Sequence, residues 1–458
     1  MSTTTTDTIP PVHACRTLVL CFDGTGNQFC DDNSNVLQLF NMLKKEDPSQ
    51  QVVYYQNART GTSIVPQLAM PLLLKWKNPD PHVLGMPPSL HNTSTGGYEF
   101  LMQNYEAGDK ICLFGFSRGA YTARALAGML HKVGLLPRCN HQHVLSAYKL
   151  YSMDDEESWR SSLEFKKALS IDVDVEFIGV WDTVNSVGIS PRRLPFTSSN
   201  SSIRVSRQAL ALDEHRVGFT PILYHRSELD AMNEKMPRSQ KRLSATHLPD
   251  EKHLHDKSNL DGHHEASLQE LERRYTQQTK QTDSDEVWFA GYVGGGSVAS
   301  NTRYSLARIP LRWMIREIFK TNVGILFHRS MFQQIGMDPS TLYPDVVPRP
   351  LAIPMHGHAD PDVKCVSEET EDLNDALSPM HDQLMAAPYW WILEVLPQKL
   401  RYQRKANGSW VESISVHMGR ARRIPMREPL KIHRTVKTRM EAKYSPKARI
   451  KAEPQWVD

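Results

Sequence analysis

Short apolar runs alternate with amphipathic segments through the first two thirds of the chain. The runs are too brief for helices and lack strict alternation, which is typical of strands buried on both faces. They cover residues 16–22, 51–55, 111–114, 173–180 and 286–291. Helical spacing is seen over 36–43, 97–105, 118–131, 141–170, 209–216 and 304–319. This alternation predicts an α/β fold with a doubly wound, mostly parallel sheet.

The hydrophobic pattern also predicts how the chain is organised. Residues 1–14 lack apolar periodicity, and we expect them to be disordered. The sheet domain is predicted over 15–325, interrupted at 227–285 by a polar and flexible insertion. Residues 326–458 form a C-terminal extension that is basic at its end, and its apolar patch at 388–397 is expected to dock on the core.

The run at 111–114 leads into Gly-Phe-Ser-Arg-Gly, a match to the pattern G-x-S-x-G. A strand, a pinched turn and a helix in this order predict a nucleophile elbow with Ser117 at its apex. Gly115 and Gly119 are needed because strand and helix approach too closely there for a side chain. The backbone amide of Arg118 is the predicted first donor of an oxyanion hole.

A glycine-containing loop, Asp-Gly-Thr-Gly-Asn, follows the first strand at 23–27. It lies at the carboxyl end of its strand, where ligands bind in open α/β sheets. The amide of Gly24 or Thr25 is a candidate second oxyanion donor. A phosphate-binding loop and a plain tight turn are the alternatives.

A serine hydroxyl becomes an effective nucleophile when an imidazole takes its proton and a carboxylate orients that imidazole. Asp182 directly follows the strand predicted at 173–180 and comes after Ser117, as a triad acid should. The alternative is an aspartate that caps a turn or helix. The histidine is expected in the turn after a later strand, but the turn at 292–296 reads Tyr-Val-Gly-Gly-Gly and contains none.

Composition indicates the cellular compartment of the protein and limits the classes of partner that it can be expected to bind. Six scattered cysteines without a CxxC pair, and an N-terminus without basic and apolar signal regions, predict an intracellular, cytoplasmic protein. No apolar run is long enough to predict a transmembrane segment. Lys and Arg number 54 and Asp and Glu 51, so net charge identifies no partner. The basic residues of 399–451 are compatible with peripheral contact with anionic lipid headgroups at a membrane surface, with nucleic-acid binding and with a solvated surface. We favour the solvated surface over the other two and expect no nucleic-acid partner.

Several ordered motifs together resemble the type VI secretion phospholipase effector (Tle1-like) catalytic domain family, and the C-terminal blocks resemble its fungal members. The motifs are FDGTGN at 22–27, GFSRGA at 115–120, GVWDTV at 179–184, ALDE at 211–214 and VWFAG at 287–291. The resemblance covers residues 16–320. It implies an α/β-hydrolase fold and, as in characterised bacterial members, hydrolysis of phospholipids. By position it implies Ser117 as nucleophile and Asp182 as triad acid, with no metal and no organic cofactor.

Two departures from the family pattern concern the base. Members usually read FxGxHxDVGGG where this chain has the shorter FAGYVGGG at 289–296, so the histidine and a second aspartate are missing. Relatives often place a histidine where this chain has Gln208. Loss of the base lowers serine-triad catalysis by orders of magnitude.

Three explanations for the missing base are open. The chain is a catalytically inactive relative, its sequence carries a local error, or another histidine substitutes. The candidates for substitution are His433, His215 and His225. The two functional hypotheses are a serine-dependent hydrolase of lipid or phospholipid esters, and a pseudo-hydrolase that binds a lipid or a protein without turnover.

Overall fold

The computed structural model describes the fold around one large sheet. It covers residues 7–24, 34–57, 88–184, 193–224, 268, 271–272, 275, 281–292, 303–353, 367–380, 382–386, 390–403, 410–424, 429–450 and 452–458. The strands are β1 (Thr8–Ile9), β2 (Thr17–Asp23), β3 (Gln51–Asn57), β4 (Lys110–Phe116), β5 (Val175–Trp181), β6 (Ile203–Ala211), β7 (Asp283–Phe289), β8 (Phe327–His328), β9 (Pro397–Gln403), β10 (Trp410–Val416), β11 (Leu430–His433) and β12 (Pro454–Val457). The helices are α1 (Asn35–Met42), α2 (Pro88–Asn104), α3 (Arg118–Val133), α4 (His141–Ser152), α5 (Glu156–Leu169), α6 (Arg308–Lys320), α7 (Glu368–Leu377), α8 (Gln383–Ala386), α9 (Trp391–Val395) and α10 (Arg434–Glu441). Short 3₁₀ turns cover Val217–Phe219, Arg329–Ile335 and Pro339–Thr341.

The central sheet has eight strands in the order β12-β11-β7-β6-β5-β4-β2-β3, and every neighbouring pair in it is parallel. Strands β2, β4 and β5 are almost wholly buried, as their unbroken apolar sequences predict. Helices α2 to α5 pack on one face, where they share a hydrophobic core with β2 and β4. Helices α1 and α6 pack on the other face. The predicted α/β-hydrolase-like, doubly wound architecture is thus confirmed.

The segment 209–216 differs from its sequence-based prediction. We expected a helix, but residues up to Ala211 belong to β6, and 212–216 continue as irregular backbone. The alanine and leucine residues of this segment suit both a buried helix and a buried strand. Pairing with β5 on one side and β7 on the other decides the outcome, because it satisfies the backbone along both edges of β6.

Residues 7–14, the part of the N-terminus that the structure describes, are more ordered than their sequence suggests. Residues 1–14 were expected to be disordered, yet β1 pairs antiparallel with β8. The Ile9 side chain, on β1, is buried in the hydrophobic core. Burial of the Ile9 side chain and the two residue pairs between β1 and β8 therefore order a segment whose sequence shows no hydrophobic periodicity.

A few residues of the predicted insertion at 227–285 are described. Leu268 and Glu272 are buried, and they pack or hydrogen-bond against Phe196. Strand β7 already begins at Asp283, slightly before the predicted end of the insertion. The greater part of 227–285 lies outside the described residues.

The C-terminal extension takes part in the central sheet. Strand β11 pairs with β7, and β12 closes that edge of the sheet. The apolar patch predicted to dock on the core does so only in part. Leu393 is buried, whereas Ile392, Val395 and Leu396 are exposed. Among the described residues, no helix is both long enough and apolar enough to cross a membrane.

A ladder of buried ion pairs holds the extension to the sheet domain. Arg308, Arg312 and Arg316 follow one another at single-turn spacing along α6 and face the acidic helix α7. Arg312 contacts Asp372 at 2.6 Å and Asp375 at 2.7 Å. Burial would raise the pKa of Asp372, but attraction by Arg312 and Arg349 lowers that pKa well below its ordinary value. The Asp372 carboxylate at the centre of the ladder is therefore charged at neutral pH.

Replacing the central arginine should strongly destabilise the protein. Arg312→Met keeps most of the side-chain volume, but among the described residues it leaves Asp372 with only Arg349 and Asp375 with only Arg308 as an arginine partner. We expect a loss of about 3 kcal/mol in unfolding free energy. The control is Arg204→Met, which removes a half-exposed arginine paired with Glu176 and should cost less than about 1 kcal/mol. Urea denaturation measures both, and equal effects of the two substitutions would contradict the ladder's role.

Candidate active site

The turn after β4 holds Ser117 in a strained backbone conformation. Its φ is 55° and its ψ is −115°, in the left-handed half of backbone space that residues with a side chain rarely adopt. Ser117 is half-buried and precedes α3 directly, yet its side chain makes no capping hydrogen bond with that helix. Its backbone amide donates to the Trp181 carbonyl at 2.9 Å, which fastens the turn to β5. Ser117 thus lies at the carboxyl edge of the sheet, between β4 and α3.

The two glycines of the motif are required by close backbone approach. A Cβ on Gly119 would lie 2.2 Å from the Phe22 carbonyl oxygen and 2.6 Å from that of Asp23. A Cβ on Gly115 would lie 2.6 Å from backbone atoms of Ala120. Neither neighbour is a flexible side chain, so a larger residue would displace β2 or α3. Gly115 therefore lies directly against α3, and Gly119 lies directly against the end of β2.

Asp182 lies beside Ser117 because their strands are neighbours in register. Phe116 of β4 pairs with Trp181 of β5, so the next residue of each strand is Ser117 on one side and Asp182 on the other. Asp182 also has a positive φ, of 48°. The Asp182 side chain is buried, and its carboxylate accepts a hydrogen bond from the Ala211 amide at 3.3 Å. The structure therefore brings both predicted residues to one edge of the sheet.

The principal partner of the Asp182 carboxylate is an arginine from the C-terminal extension. Both terminal guanidinium nitrogens of Arg422 reach it, at 2.5 Å and 2.8 Å, in a bidentate pair that is buried on both sides. The same guanidinium donates to the carbonyls of Ala211 and Phe219. In a serine triad this carboxylate orients the imidazole. Here the described partners are a guanidinium and a backbone amide.

Of the candidate oxyanion donors, the Arg118 amide is the one at the N-terminus of a helix. Arg118 is the first residue of α3, so its amide is one of those without a carbonyl partner inside the helix. The Gly24 amide donates instead to the Asp23 carboxylate at 2.7 Å. That carboxylate also accepts from Ser34 and Tyr55. Thr25 lies outside the described residues.

The Arg118 side chain adds a cation next to Ser117. It is partly buried, and burial lowers the pKa of its guanidinium to about 10. No ion pair with an acidic side chain forms at Arg118 within the described part of the chain. The group stays positively charged at neutral pH.

His433 is too far from Ser117 to act as its base. Phe116, Trp181, Ala209, Val287 and Lys431 are register partners on five successive strands. At the usual strand spacing, β11 therefore lies about 19 Å from β4. His433 is buried, stacks on the Phe289 ring at 4.9 Å and bonds the Thr435 hydroxyl. Burial lowers the pKa of its imidazole to about 3, so it is a neutral structural residue.

His215 follows β6, two strands from Ser117, and its ring is engaged elsewhere. Nδ1 contacts the Gly419 carbonyl at 3.1 Å, and Nε2 lies 2.9 Å from the Asp382 carboxylate and 3.0 Å from the Lys447 ammonium. Burial alone would raise the pKa of Asp382, but hydrogen bonds from Lys447 and His215 outweigh it and lower that pKa to about 2. These contacts join the sheet domain to the extension and include neither Ser117 nor Asp182.

The remaining candidate, His225, lies outside the described residues, as does most of the shortened turn at 291–296. The ranges 25–33, 185–192 and 293–300 also lie outside the described residues, and their sequence contains no histidine. At the other position where relatives place a histidine, Gln208 is buried in β6. Its side chain bonds Arg124, Thr183, Ile222 and Glu286. It thus completes a polar network behind Asp182.

A strained serine at the top of a parallel sheet, a buried aspartate on the next strand and a helix N-terminus behind the serine lie together in an α/β-hydrolase-like fold. Comparison with known families agrees. Residues 16–317 match the T6SS phospholipase effector Tle1-like catalytic domain. The chain belongs to this family, and membership suggests lipid ester hydrolase activity.

Individual relatives are more distant. The uncharacterized protein YEL023C of Saccharomyces cerevisiae is 27% identical over an alignment of 556 positions, which takes in 94% of this chain and 80% of the yeast protein. Among solved structures, an uncharacterized protein from Pseudomonas aeruginosa aligns with a TM-score of 0.35 and 15% identity, over 68% of this chain and 46% of the other. The Tle1 effector bound to the VgrG spike of the type 6 secretion system aligns with a TM-score of 0.23 and 18% identity, over 46% and 48%. This chain thus spans about half the length of these two solved chains.

The contact between the elbow and β2 predicts a graded effect of alanine at two glycines. Gly119→Ala forces a methyl group onto two carbonyl oxygens and should cost about 3 kcal/mol in unfolding free energy. Gly108 has a positive φ, of 97°, and a methyl group there would meet nothing within 4 Å; Gly108→Ala should cost about 1 kcal/mol. Thermal or urea unfolding measures the difference. A smaller loss for Gly119→Ala than for Gly108→Ala would contradict the packing described for the elbow.

Proposed function

We propose that this chain is a serine-dependent hydrolase of lipid or phospholipid esters that works through an acyl-enzyme at Ser117. The observation that carries the proposal is the strained backbone of Ser117 at the sheet edge, directly beside Asp182. Strain of this kind persists where the surrounding structure holds a group for a task. The family membership supports the lipid ester as the substrate class.

The proposed reaction has two steps. The Ser117 hydroxyl oxygen attacks the ester carbonyl and loses its proton to a base, while the Arg118 amide hydrogen-bonds the oxyanion that forms. Collapse of this intermediate breaks the ester bond and releases the alcohol with that proton. Water then attacks the acyl-enzyme in the same way and releases the fatty acid. Asp182 supplies the negative charge that favours protonation of a neighbouring base.

The Arg118 guanidinium favours a substrate with a negative charge near its ester. A cation without an acidic partner among the described residues, next to the nucleophile, would attract a phosphate group. The phosphodiester of a phospholipid has this charge, and the basic residues of the extension add to the attraction of an anionic membrane surface.

The Asp182–Arg422 pair favours a second candidate, a pseudo-hydrolase that binds lipid without turnover. An arginine neutralises the carboxylate that an imidazole would otherwise need. A guanidinium cannot take the serine proton, because it does not lose its own proton in this pH range. In this second candidate Ser117 stays a hydroxyl, and its surroundings serve for binding.

A fluorophosphonate probe and a nitrophenyl ester separate the two candidates. The hydrolase should be labelled at Ser117 and should cleave the ester, and Ser117→Ala should abolish both. The control Ser152→Ala alters a serine on α4, outside the site, and should leave both unchanged. Labelling or hydrolysis that persists in Ser117→Ala would exclude the serine mechanism.

The pseudo-hydrolase gives a different pattern in the same assays. The unaltered protein would then bind phospholipid vesicles but would neither react with the probe nor cleave the ester. Insertion of the family's missing histidine into the turn after β7 would be expected to create activity. Robust turnover by the unaltered protein would exclude this second candidate.

A further inference from the structure

The segment 417–424 of the C-terminal extension reaches the candidate site through one buried side chain. The structure describes all of its residues, and Arg422 is the one among them that is buried. The others are exposed or half-buried, and Ile424 packs on the core only from a half-buried position. A surface segment is ordinarily anchored by apolar side chains that enter the core. The anchor here is a guanidinium, which stays buried only where an anion compensates its charge.

That anion is the Asp182 carboxylate, and Arg422 uses both of its oxygens. Nη1 and Nη2 of the guanidinium lie 2.5 Å and 2.8 Å from the two oxygens, and both side chains are buried. One oxygen also accepts from the Ala211 amide at 3.3 Å. A triad carboxylate needs one of these oxygens to accept from the Nδ1–H of an imidazole. Arg422 and such an imidazole therefore compete for the same group.

Polar contacts to two side chains from other elements hold 417–424 in place, and we call these contacts the clasp. Glu394 of α9 accepts from the Gly419 amide at 2.8 Å and lies 2.6 Å from Nδ1 of His417. His215, which follows β6, contacts the Gly419 carbonyl through Nδ1 at 3.1 Å. Segments with few buried apolar contacts open locally more readily than the core. The segment can therefore detach while the sheet domain stays folded.

The clasp also reaches the guanidinium from the side of the sheet domain. The Glu394 carboxylate accepts from the Val217 amide at 2.6 Å. Phe219 lies two residues further along the same turn, and its carbonyl accepts from Arg422. The Ala211 carbonyl accepts from Arg422 as well, at 3.2 Å. Loss of the Glu394 charge should therefore loosen both the segment that carries the guanidinium and one of the carbonyls that receive it.

We propose that Arg422 is an autoinhibitory residue, which withholds Asp182 from the base of Ser117 until 417–424 detaches. The proposal rests on the proposed function, because a free Asp182 carboxylate matters only where Ser117 is a nucleophile with a base. Once the guanidinium is withdrawn, the carboxylate accepts from that base and stabilises its protonated form. The conformation described here is then the inhibited one, in which a single carboxylate serves the ion pair and is lost to catalysis.

The test compares the rate at which a fluorophosphonate probe labels Ser117 in the unaltered full chain and in Arg422→Gln. Labelling joins the Ser117 oxygen to phosphorus, releases fluoride and passes the serine proton to the base. We expect Arg422→Gln to label about tenfold faster or more, a size typical of coupling between two sites. Arg422→Lys keeps a cation beside Asp182 and should label at nearly the unaltered rate. A residue with a merely structural role would not give faster labelling when it is removed.

Two more variants separate the release of Asp182 from a general loosening of the fold. Arg316→Gln removes another buried ion pair, with Glu368, and should leave the labelling rate unchanged although it destabilises the protein. Glu394→Gln weakens the clasp without altering the ion pair itself and should also raise the rate, which keeps the proposal testable if Arg422→Gln folds poorly. Combined with Arg422→Gln it should add nothing further, because both substitutions act through one contact.

The possible failures of this proposal and of the serine mechanism look different. If the unaltered protein labels at Ser117, and neither Arg422→Gln nor Glu394→Gln labels faster, the autoinhibition is wrong and the hydrolase stands. If no variant labels at all, the serine mechanism is wrong and the autoinhibition falls with it. An equal rise in Arg316→Gln and Arg422→Gln would also overturn the proposal, since any loosening of the fold would then be sufficient.

Discussion

The candidate site depends on one buried ion pair, between Asp182 at the end of β5 and Arg422 of the C-terminal extension. A carboxylate at this depth needs a partner, because an uncompensated buried charge costs several kcal/mol. Arg422 lies 240 positions further along the chain and meets Asp182 with both of its terminal nitrogens. The pair therefore forms only when the extension has folded back onto the sheet domain.

The same extension is held by other contacts that converge on the sheet. It supplies β11 and β12, the acidic helix α7 that faces the arginines of α6, and the Asp382 carboxylate beside His215. Glu394 fixes the turn at 217–219 from the outside. The extension thus contributes contacts that hold the candidate site. Substitutions in the extension should therefore affect the surroundings of Ser117 as well as the stability of the whole protein.

The ion pair also changes the chemical role that the Asp182 carboxylate can have. In a triad, the carboxylate orients an imidazole and stabilises its protonated form. An arginine satisfies the charge but cannot exchange a proton at neutral pH. Asp182 therefore acts as an anchor for the extension in the conformation described here. Activation of Ser117 requires a base that either displaces Arg422 from Asp182 or works without Asp182. The proposed hydrolase has such a base, and the pseudo-hydrolase lacks it.

Local signals in the sequence explain which parts of this picture could be predicted. The elbow at Ser117, the position of Asp182 and the strands β2, β4 and β5 follow from short contiguous patterns. The helix predicted at 209–216 is wrong, and β11 and β12 have no counterpart among the predicted strands, because pairing between distant segments decides their conformation. Arg422 stands among the arginines of 420–423, and nothing in their order marks it as the partner of a buried aspartate. Long-range contacts of this kind leave no local pattern.

The most direct test is a double-mutant cycle of Asp182→Asn and Arg422→Gln, read as unfolding free energy in urea. If the two side chains form the buried pair described, each single substitution leaves the other charge unpaired and costs about 3 kcal/mol or more. The double variant should then lose clearly less than the sum, with a coupling energy of about 2 kcal/mol or more. Effects that add to within about 0.5 kcal/mol would show that the two residues do not interact, and would contradict the central role of this ion pair.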